Sequence, residues 1–205
     1  MTIEFTKGHG TGNDFILILD KPGQLALSKD EVKKMCDRHF GIGADGLIIV
    51  KPTSKAPEVS HLLEAEPGAE WFMDYRNSDG SEAEMCGNGI RVFAKFLLEN
   101  NLATLTDGST LPIATRDGIK DVTATVNGFA VDLGLFTIGD DETLVSAAGL
   151  QVARPGLEIN VGNPHVVVAL ADLTELTGLE LVKAPLLEPV QPEGANVEFV
   201  VLDEP

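Results

Sequence analysis

Two stretches of the sequence run through the same pattern, and this internal echo constrains the fold more than any single element. Gly12-Asn13-Asp14 followed by Phe15-Ile16-Leu17-Ile18-Leu19 is matched by Gly162-Asn163-Pro164-His165 followed by Val166-Val167-Val168-Ala169-Leu170, 150 residues later. Ala44-Asp45-Gly46-Leu47-Ile48-Ile49-Val50 is shadowed by Ala195-Asn196-Val197-Glu198-Phe199-Val200-Val201, at an offset of 151. A Gly-Asn turn ahead of an apolar run is ordinary strand-entry chemistry. Two such segments in the same order at nearly the same offset predict a chain built from two copies of one α/β unit. The second copy is expected to stop early: the counterpart of residues 77–100 would fall beyond residue 205, and the sequence closes on the strand-like Val197 to Leu202.

The elements between the echoes are short. With 21 Gly and 11 Pro in 205 residues, turns are frequent, and the reading is of strands and turns with a few helices. Ser28 with Glu31 three residues on is a capping box, and Val32, Met35, Cys36 and Phe40 recur at helical spacing, which predicts a helix over 28–40 ended by Gly41. Leu47 to Val50 reads as a strand, 51–70 as a polar connection, and Trp71-Phe72-Met73 as a further extended segment. Asp117-Gly118 and Asn127-Gly128 are hairpin-turn dipeptides inside the strand-like stretch from Thr110 to Leu135.

Charge and apolar patterning exclude several function classes. Fifteen basic residues against 32 acidic ones give a net charge of −17, which repels phosphate backbones and anionic headgroups and argues against nucleic-acid or membrane-surface binding. The longest apolar run, Val166 to Ala171, is far short of the ~20 residues of a helical membrane span. The first residues show no charged-then-apolar signal segment, and two cysteines make no disulfide framework, so the cytoplasm is the expected compartment.

The densest chemistry lies between Tyr75 and Asn100. Ile90, Phe93, Ala94 and Leu97 form one apolar helical face, so a helix begins near Gly87 to Gly89 and Cys86 sits at its start. There the free backbone N–H groups and the positive end of the helix dipole favour a thiolate, and the same N–H groups suit an anionic substrate group. The alternative is a buried structural cysteine; the awkward Gly-Asn-Gly helix start tilts the reading toward function. Cys36 lies on the apolar stripe of the earlier helix and reads as core, unpaired with Cys86. Gly41-Ile-Gly43-Ala-Asp-Gly46 matches the dinucleotide fingerprint in letters only, because a helix precedes it and a strand follows, so no nucleotide site is expected. His9, His39, His61 and His165 share no ligand spacing with the cysteines, and no metal is expected. His165 is a general base, a hydrogen-bond partner or a plain turn residue.

Six blocks together carry a resemblance: Gly10-Thr-Gly-Asn-Asp-Phe15, Gly41-Ile-Gly-Ala-Asp-Gly46, Tyr75-Arg-Asn-Ser-Asp-Gly80, Met85-Cys-Gly-Asn-Gly89, Gly162-Asn-Pro-His165 and Gly194-Ala-Asn-Val-Glu-Phe199. In this order, over nearly the whole chain, they resemble the diaminopimelate epimerase family. The resemblance implies an α/β (α+β) fold of two pseudo-symmetric lobes, each a curved, mostly antiparallel sheet around a central helix, with the active site in the cleft between them. The lobes would be residues 1–131, carrying the Cys86 helix, and 132–205, incomplete.

The resemblance implies inversion at one α-carbon of LL-diaminopimelate to the meso form, with neither PLP nor metal, in lysine and peptidoglycan supply. Its partner is a small-molecule substrate, and it admits a homodimer. Cys86 matches the first of two catalytic cysteines, the proton donor from LL to meso, and His165 a histidine that assists the cysteine chemistry. Gly87 and Asn88 match positions whose backbone amides hold the reacting α-carboxylate, and Asn13, Asn77, Asn163 and Asn196 match substrate-contacting asparagines. Two departures stand out. The family's second Cys-Gly-[Ser/Thr]-Gly helix start and its Glu-Arg-Gly-x-Gly-Glu-Thr stretch are not in this sequence, and Gly46 replaces a glutamine that some relatives use against substrate. A fragment of a longer protein, a processed chain and a divergent paralogue each account for this, and the 205 residues alone are expected to give no LL-to-meso conversion. The alternatives kept are another racemase or isomerase of the same fold, such as a proline racemase or phenazine-type isomerase, and an inactive binding remnant.

Overall fold

The computed structural model describes residues 2–106, 108–192 and 194–202, and of Asp140 and Asp141 only the backbone. It divides into two units, residues 1–133 and 134–205, each treated by itself.

In the first unit seven strands lie side by side in chain order: β1 (Thr6–Gly10), β2 (Asn13–Leu19), β3 (Gly46–Pro52), β4 (Trp71–Asn77), β5 (Thr110–Thr115), β6 (Gly118–Thr125) and β7 (Gly128–Asp132). The pairs β2–β3 and β4–β5 are parallel and the rest antiparallel. The β2 run is apolar on both faces because both are covered. Ile16 and Ile18 pack with Leu47, Ile49 and two residues of helix α1 (Lys29–Cys36), Val32 and Cys36. Phe15 and Leu17 pack on the other side with Ile48, Met73 and Tyr75 against Ile90, Phe93 and Leu97 of helix α3 (Gly87–Glu99). Between β3 and β4 the connection read as polar contains a 3-10 turn, Thr53–Lys55, and a short helix α2, Leu62–Ala65.

The expected capping box is present: Glu31 N donates to Ser28 Oγ at 3.3 Å and Ser28 N donates to Glu31 Oε2 at 2.8 Å. The helix, however, stops at Cys36, four residues before the predicted end. Asp37 adopts an extended conformation and its Oδ1 accepts the N–H groups of His39 and Phe40, both at 2.7 Å, folding 37–40 into a turn. Phe40, counted as part of the apolar stripe, is 91% exposed. The glycine-rich stretch after it ties off the helix: Ile42 N and Gly43 N donate to Met35 O, and Ala44 N to Cys36 O. Both hairpin dipeptides lie at turns, with their glycines one place later than a two-residue primed turn requires. Gly118 (φ 80°) and Gly128 (φ 146°) open the second strand of each hairpin, while Asp117 and Asn127 keep negative φ.

The second unit is a five-stranded sheet in the order β11 (Leu186–Glu188), β8 (Thr137–Ser146), β9 (Arg154–Asn160), β10 (Pro164–Leu170) and β12 (Asn196–Val201). Here β10 and β12 are parallel, β9–β10 is an antiparallel hairpin, and the short helix α4 (Leu173–Thr177) lies between β10 and β12 in sequence. This repeats the β1–β2–α1–β3 arrangement. The register corrects the echo by one residue: Phe15 lies opposite Gly46 and His165 opposite Asn196, so both strands repeat at 150 and the counterpart of Gly46, not of Asp45, is Asn196.

Candidate active site

Local chemistry puts Cys86 at the N-cap of α3. It is extended (φ −146°, ψ 117°), and its sulfur accepts from Gly89 N at 3.4 Å. The carbonyl of Cys86 accepts the first intrahelical bond, from Ile90 N, at 2.8 Å. Gly87 and Asn88 carry two of the N–H groups that any helix start leaves without an intrahelical partner. A Cβ built on Gly87 would meet nothing within 4 Å, so there is open space beside the helix start at this residue. Helix-start N–H groups beside a half-buried thiol suit a carboxylate held next to the sulfur.

Asn13, at the start of β2, reaches this point across 73 residues of sequence. Its Oδ1 lies 3.8 Å from Cys86 Sγ and 3.4 Å from Asn88 Nδ2, which donates to it. Asn13 Nδ2 donates to Asp45 Oδ2 at 2.9 Å. Asp45 and Asp14 latch the entries of β2 and β3, each carboxylate accepting the other's backbone N–H at 3.0 and 3.1 Å, and Arg38 bonds to both. The Arg38 guanidinium, with Lys7 adding to it, holds the Asp14 carboxyl well below the usual range, and the Asn13 amide lowers that of Asp45. Thr11, in the turn joining β1 to β2, adopts φ 52°, a left-handed conformation that is costly for a β-branched residue. Its hydroxyl lies 3.0 Å from Asn88 Oδ1, which Arg91 Nη2 also donates to. Backbone strain of this kind clusters at functional sites.

Asn77 stands apart from this set. Its Oδ1 accepts from the Tyr75 hydroxyl at 3.0 Å and its Nδ2 donates to Ser81 Oγ at 3.0 Å, so one bond of each amide atom goes to its own strand and turn. At Gly46 a Cβ would sit 2.6 Å from the Tyr75 ring and 2.8 Å from the Arg76 carbonyl. In this chain the tyrosine occupies the space that a side chain at 46 would need. Burial pushes the Tyr75 phenol up, so it stays neutral. Cys36 is 4% exposed, and burial raises its thiol.

The remaining predicted residues gather in the second unit. His165 Nε2 lies 3.0 Å from Asn163 Oδ1, and its Nδ1 lies 2.7 Å from Glu198 Oε1. Asn196 Nδ2 donates to Pro164 O at 3.4 Å. Glu198 escaped the sequence reading, as did Asp45 and Arg91 as supports of the site. A carboxylate two residues after Asn196 on a strand parallel to β10 is the signal that points to Glu198, since side chains two apart share a face. Its second oxygen is buried and has no hydrogen-bond partner among the described residues. Among the described residues no three His, Cys, Asp or Glu side chains are placed to hold a metal, and no helix is long and apolar enough to cross a membrane.

The fold is one that solved structures described as racemases and epimerases share. It is similar to the solved structures of a probable proline racemase from Agrobacterium radiobacter K84 (TM-score 0.57, 11% identity, 86% of this chain and 53% of that one) and of a predicted epimerase from Pseudomonas aeruginosa (TM-score 0.56, 12% identity, 87% and 63%). Within that class, residues 5–138 match the family model described as diaminopimelate epimerase, and the chain belongs to this family. It is 42% identical to the diaminopimelate epimerase of Streptomyces coelicolor over 97% of this chain and 66% of that protein. It is 40% identical to that of Thermobifida fusca over 96% and 70%. The chain thus spans about two thirds of the length of the curated relatives it matches.

Proposed function

We propose that this protein acts in the cofactor-independent epimerisation of LL-diaminopimelate to meso-diaminopimelate, with Cys86 as the acid/base on one face of the α-carbon. The observation that carries the reading is the start of α3, where the half-buried Cys86 caps the helix beside the first-turn amides of Gly87 and Asn88, with open space at Gly87. A carboxylate held on those amides would be stabilised as negative charge spreads onto it when the α-proton leaves. Asn13 and Asn88 supply amide groups that bond to carboxylate or ammonium without adding charge. His165, held by Asn163 and Glu198, assists the acid/base chemistry, and Asn77 and Asn196 contact substrate. Inversion needs a second acid/base on the opposite face. Cys36 is too deeply buried to supply it. The reading includes a cytoplasmic setting and a homodimer.

The test follows α-deuterium incorporation from D2O into meso- and LL-diaminopimelate by mass spectrometry, together with inversion by chiral chromatography. A donor to the nascent D-centre is, in reverse, the base that deprotonates it. The 205-residue chain is therefore expected to exchange meso-diaminopimelate at one α-carbon without inverting it, and Cys86→Ala to abolish the exchange. Exchange by Cys86→Ala within about tenfold of the parent would overturn the role of Cys86. Inversion by the 205 residues would overturn the two-cysteine mechanism. Binding without any exchange would leave a binding module.

A further inference from the structure

The amide of Asn13 has one orientation that its surroundings accept, and this decides what Cys86 faces. Asp45 is a carboxylate with only acceptors to offer, so the Asn13 group 2.9 Å from it must be the Nδ2 donor. That leaves Oδ1 toward the sulfur. The same conclusion comes from the other end: Arg91 offers only donors, so it takes Asn88 Oδ1 and turns Asn88 Nδ2 onto Asn13 Oδ1. Two amides are strung between a guanidinium and a carboxylate, every N–H pointing the same way, from Arg91 through Asn88 and Asn13 to Asp45. Arg38 bonds to the far side of Asp45 at 2.8 Å and fixes that terminus.

We propose that Arg91 and Asp45 are positioning residues which polarise the Asn88–Asn13 chain and so present a carbonyl oxygen, rather than an N–H, to the Cys86 sulfur. The inference rests on the reading of Cys86 as an acid/base group and says how its proton is held. Two influences meet at the sulfur. Gly89 N–H, at the helix start, donates to the sulfur, while Asn13 Oδ1 accepts from its S–H. Tyr75, the titratable neighbour from β4, stays neutral and adds no charge. A thiol is what a proton donor needs before it acts, and once the proton has left, the same oxygen opposes the thiolate and draws the proton back. Reversing the chain would put an N–H against sulfur and hold the thiolate instead.

The experiment measures iodoacetamide alkylation of each cysteine by peptide mass spectrometry at one pH near neutrality, in the 205-residue chain. Asp45→Asn can offer an N–H or a carbonyl to Asn13 and frees the amide to turn, while Arg91→Glu puts an acceptor against Asn88 and so turns the Asn88 carbonyl to compete with Asp45 for the Asn13 N–H groups. Both are expected to raise the Cys86 rate about fivefold, since alkylation follows the thiolate fraction, and to leave Cys36 unchanged. Arg91→Lys keeps a donor-only cation and is expected to hold the Cys86 rate within about twofold of the parent. A structural loosening would speed Cys36 and Cys86 together, and that result, or no change at Cys86 in both Asp45→Asn and Arg91→Glu, overturns the proposal. If Asp45→Asn fails to fold, the Arg91 pair decides alone. No substrate is used, so a failure of the epimerase reading shows in the exchange assay and a failure of the positioning role in the alkylation rates.

Discussion

The two units start from the same strand–helix–strand arrangement and finish it differently. In the first, both faces of β2 and β3 are covered, one by α1 and the other by α3, and Phe15, Ile16, Leu47, Ile48 and Phe93 are wholly buried. In the second, Val166, Val168 and Leu170 pack with Val197, Phe199 and Val201 near Leu176 of α4, which matches the α1 face. The opposite face, which α3 covers in the first unit, bears Leu144 at 41% exposure and Leu157 at 48%. His165 stands on this face at the place of Phe15. The difference teaches that α3 does two jobs in one element: its apolar side closes the sheet, and its start sets Cys86 and the amides of Gly87 and Asn88 at the entry ends of β2 and β3.

The sharpest way to break this comparison is to remove the covering. Phe93→Ala takes a fully buried ring from the α3 seam and is expected to cost about 3–5 kcal/mol, while Leu144→Ala on the half-open face of the second unit costs less than about 1 kcal/mol. Urea unfolding followed by the fluorescence of Trp71, the one tryptophan, reports the first unit, and hydrogen exchange of peptides from 137–170 reports the second. Equal costs would mean that the two faces are packed alike.

A second contrast lies in the ion pairs. Asp74 of β4 is fully buried, with Lys51 at 2.8 Å, Arg76 at 3.0 Å and Arg116 at 2.7 Å. Burial pushes its carboxyl up, but the three cations outweigh it and hold the group at about 2, against 3.8 when free. Asp74→Asn leaves the cations uncompensated and is expected to cost about 3 kcal/mol. Because the folded value is the lower one, this stability is complete above pH ~4 and is lost as the pH falls toward ~2, a change of about 2 kcal/mol. The second unit's Arg154–Glu175 pair is partly exposed, and Glu175→Gln is expected to cost less than about 1 kcal/mol. Acid titrations of the parent and Asp74→Asn, read by Trp71 fluorescence, check this; an unchanged acid midpoint in Asp74→Asn would remove Asp74 from the account.

The smallest expected effects sharpen the comparison at the helix starts. Ser28→Ala breaks a reciprocal capping box on the eight-residue α1 and is expected to cost about 1 kcal/mol. Asp172 accepts from Thr174 N and Glu175 N at the head of the five-residue α4, and Asp172→Ala is expected to cost about 0.5 kcal/mol, seen as faster amide exchange in 172–178 alone. A larger loss at Asp172 would show that α4 supports its sheet as strongly as α1 does.

What the sequence determined by itself is what depends on neighbours in the chain. The capping box at Ser28, the helix start at Cys86 and the apolar run of β2 are set by spacings of a few residues and by backbone chemistry, and each is where its residues said. The early end of α1 was also local, written in the Asp37 side chain, but an apolar stripe through Phe40 outweighed it in the reading. Contacts across some thirty to seventy residues were decided only by the tertiary structure. The parallel pairing of β10 with β12 fixed the repeat at 150 residues and seated Glu198 against His165. The ladder of β3 and β4 filled the space at Gly46 with Tyr75. The docking of α3 on the sheet brought Asn13 to Cys86 while leaving Asn77 to Tyr75 and Ser81. The reason is physical: a hydrogen bond between distant residues exists only after strand register and helix packing have placed both partners within about 3 Å. Six asparagine-, glycine- and cysteine-bearing blocks name the parts of a site, and the fold decides which amide faces the sulfur.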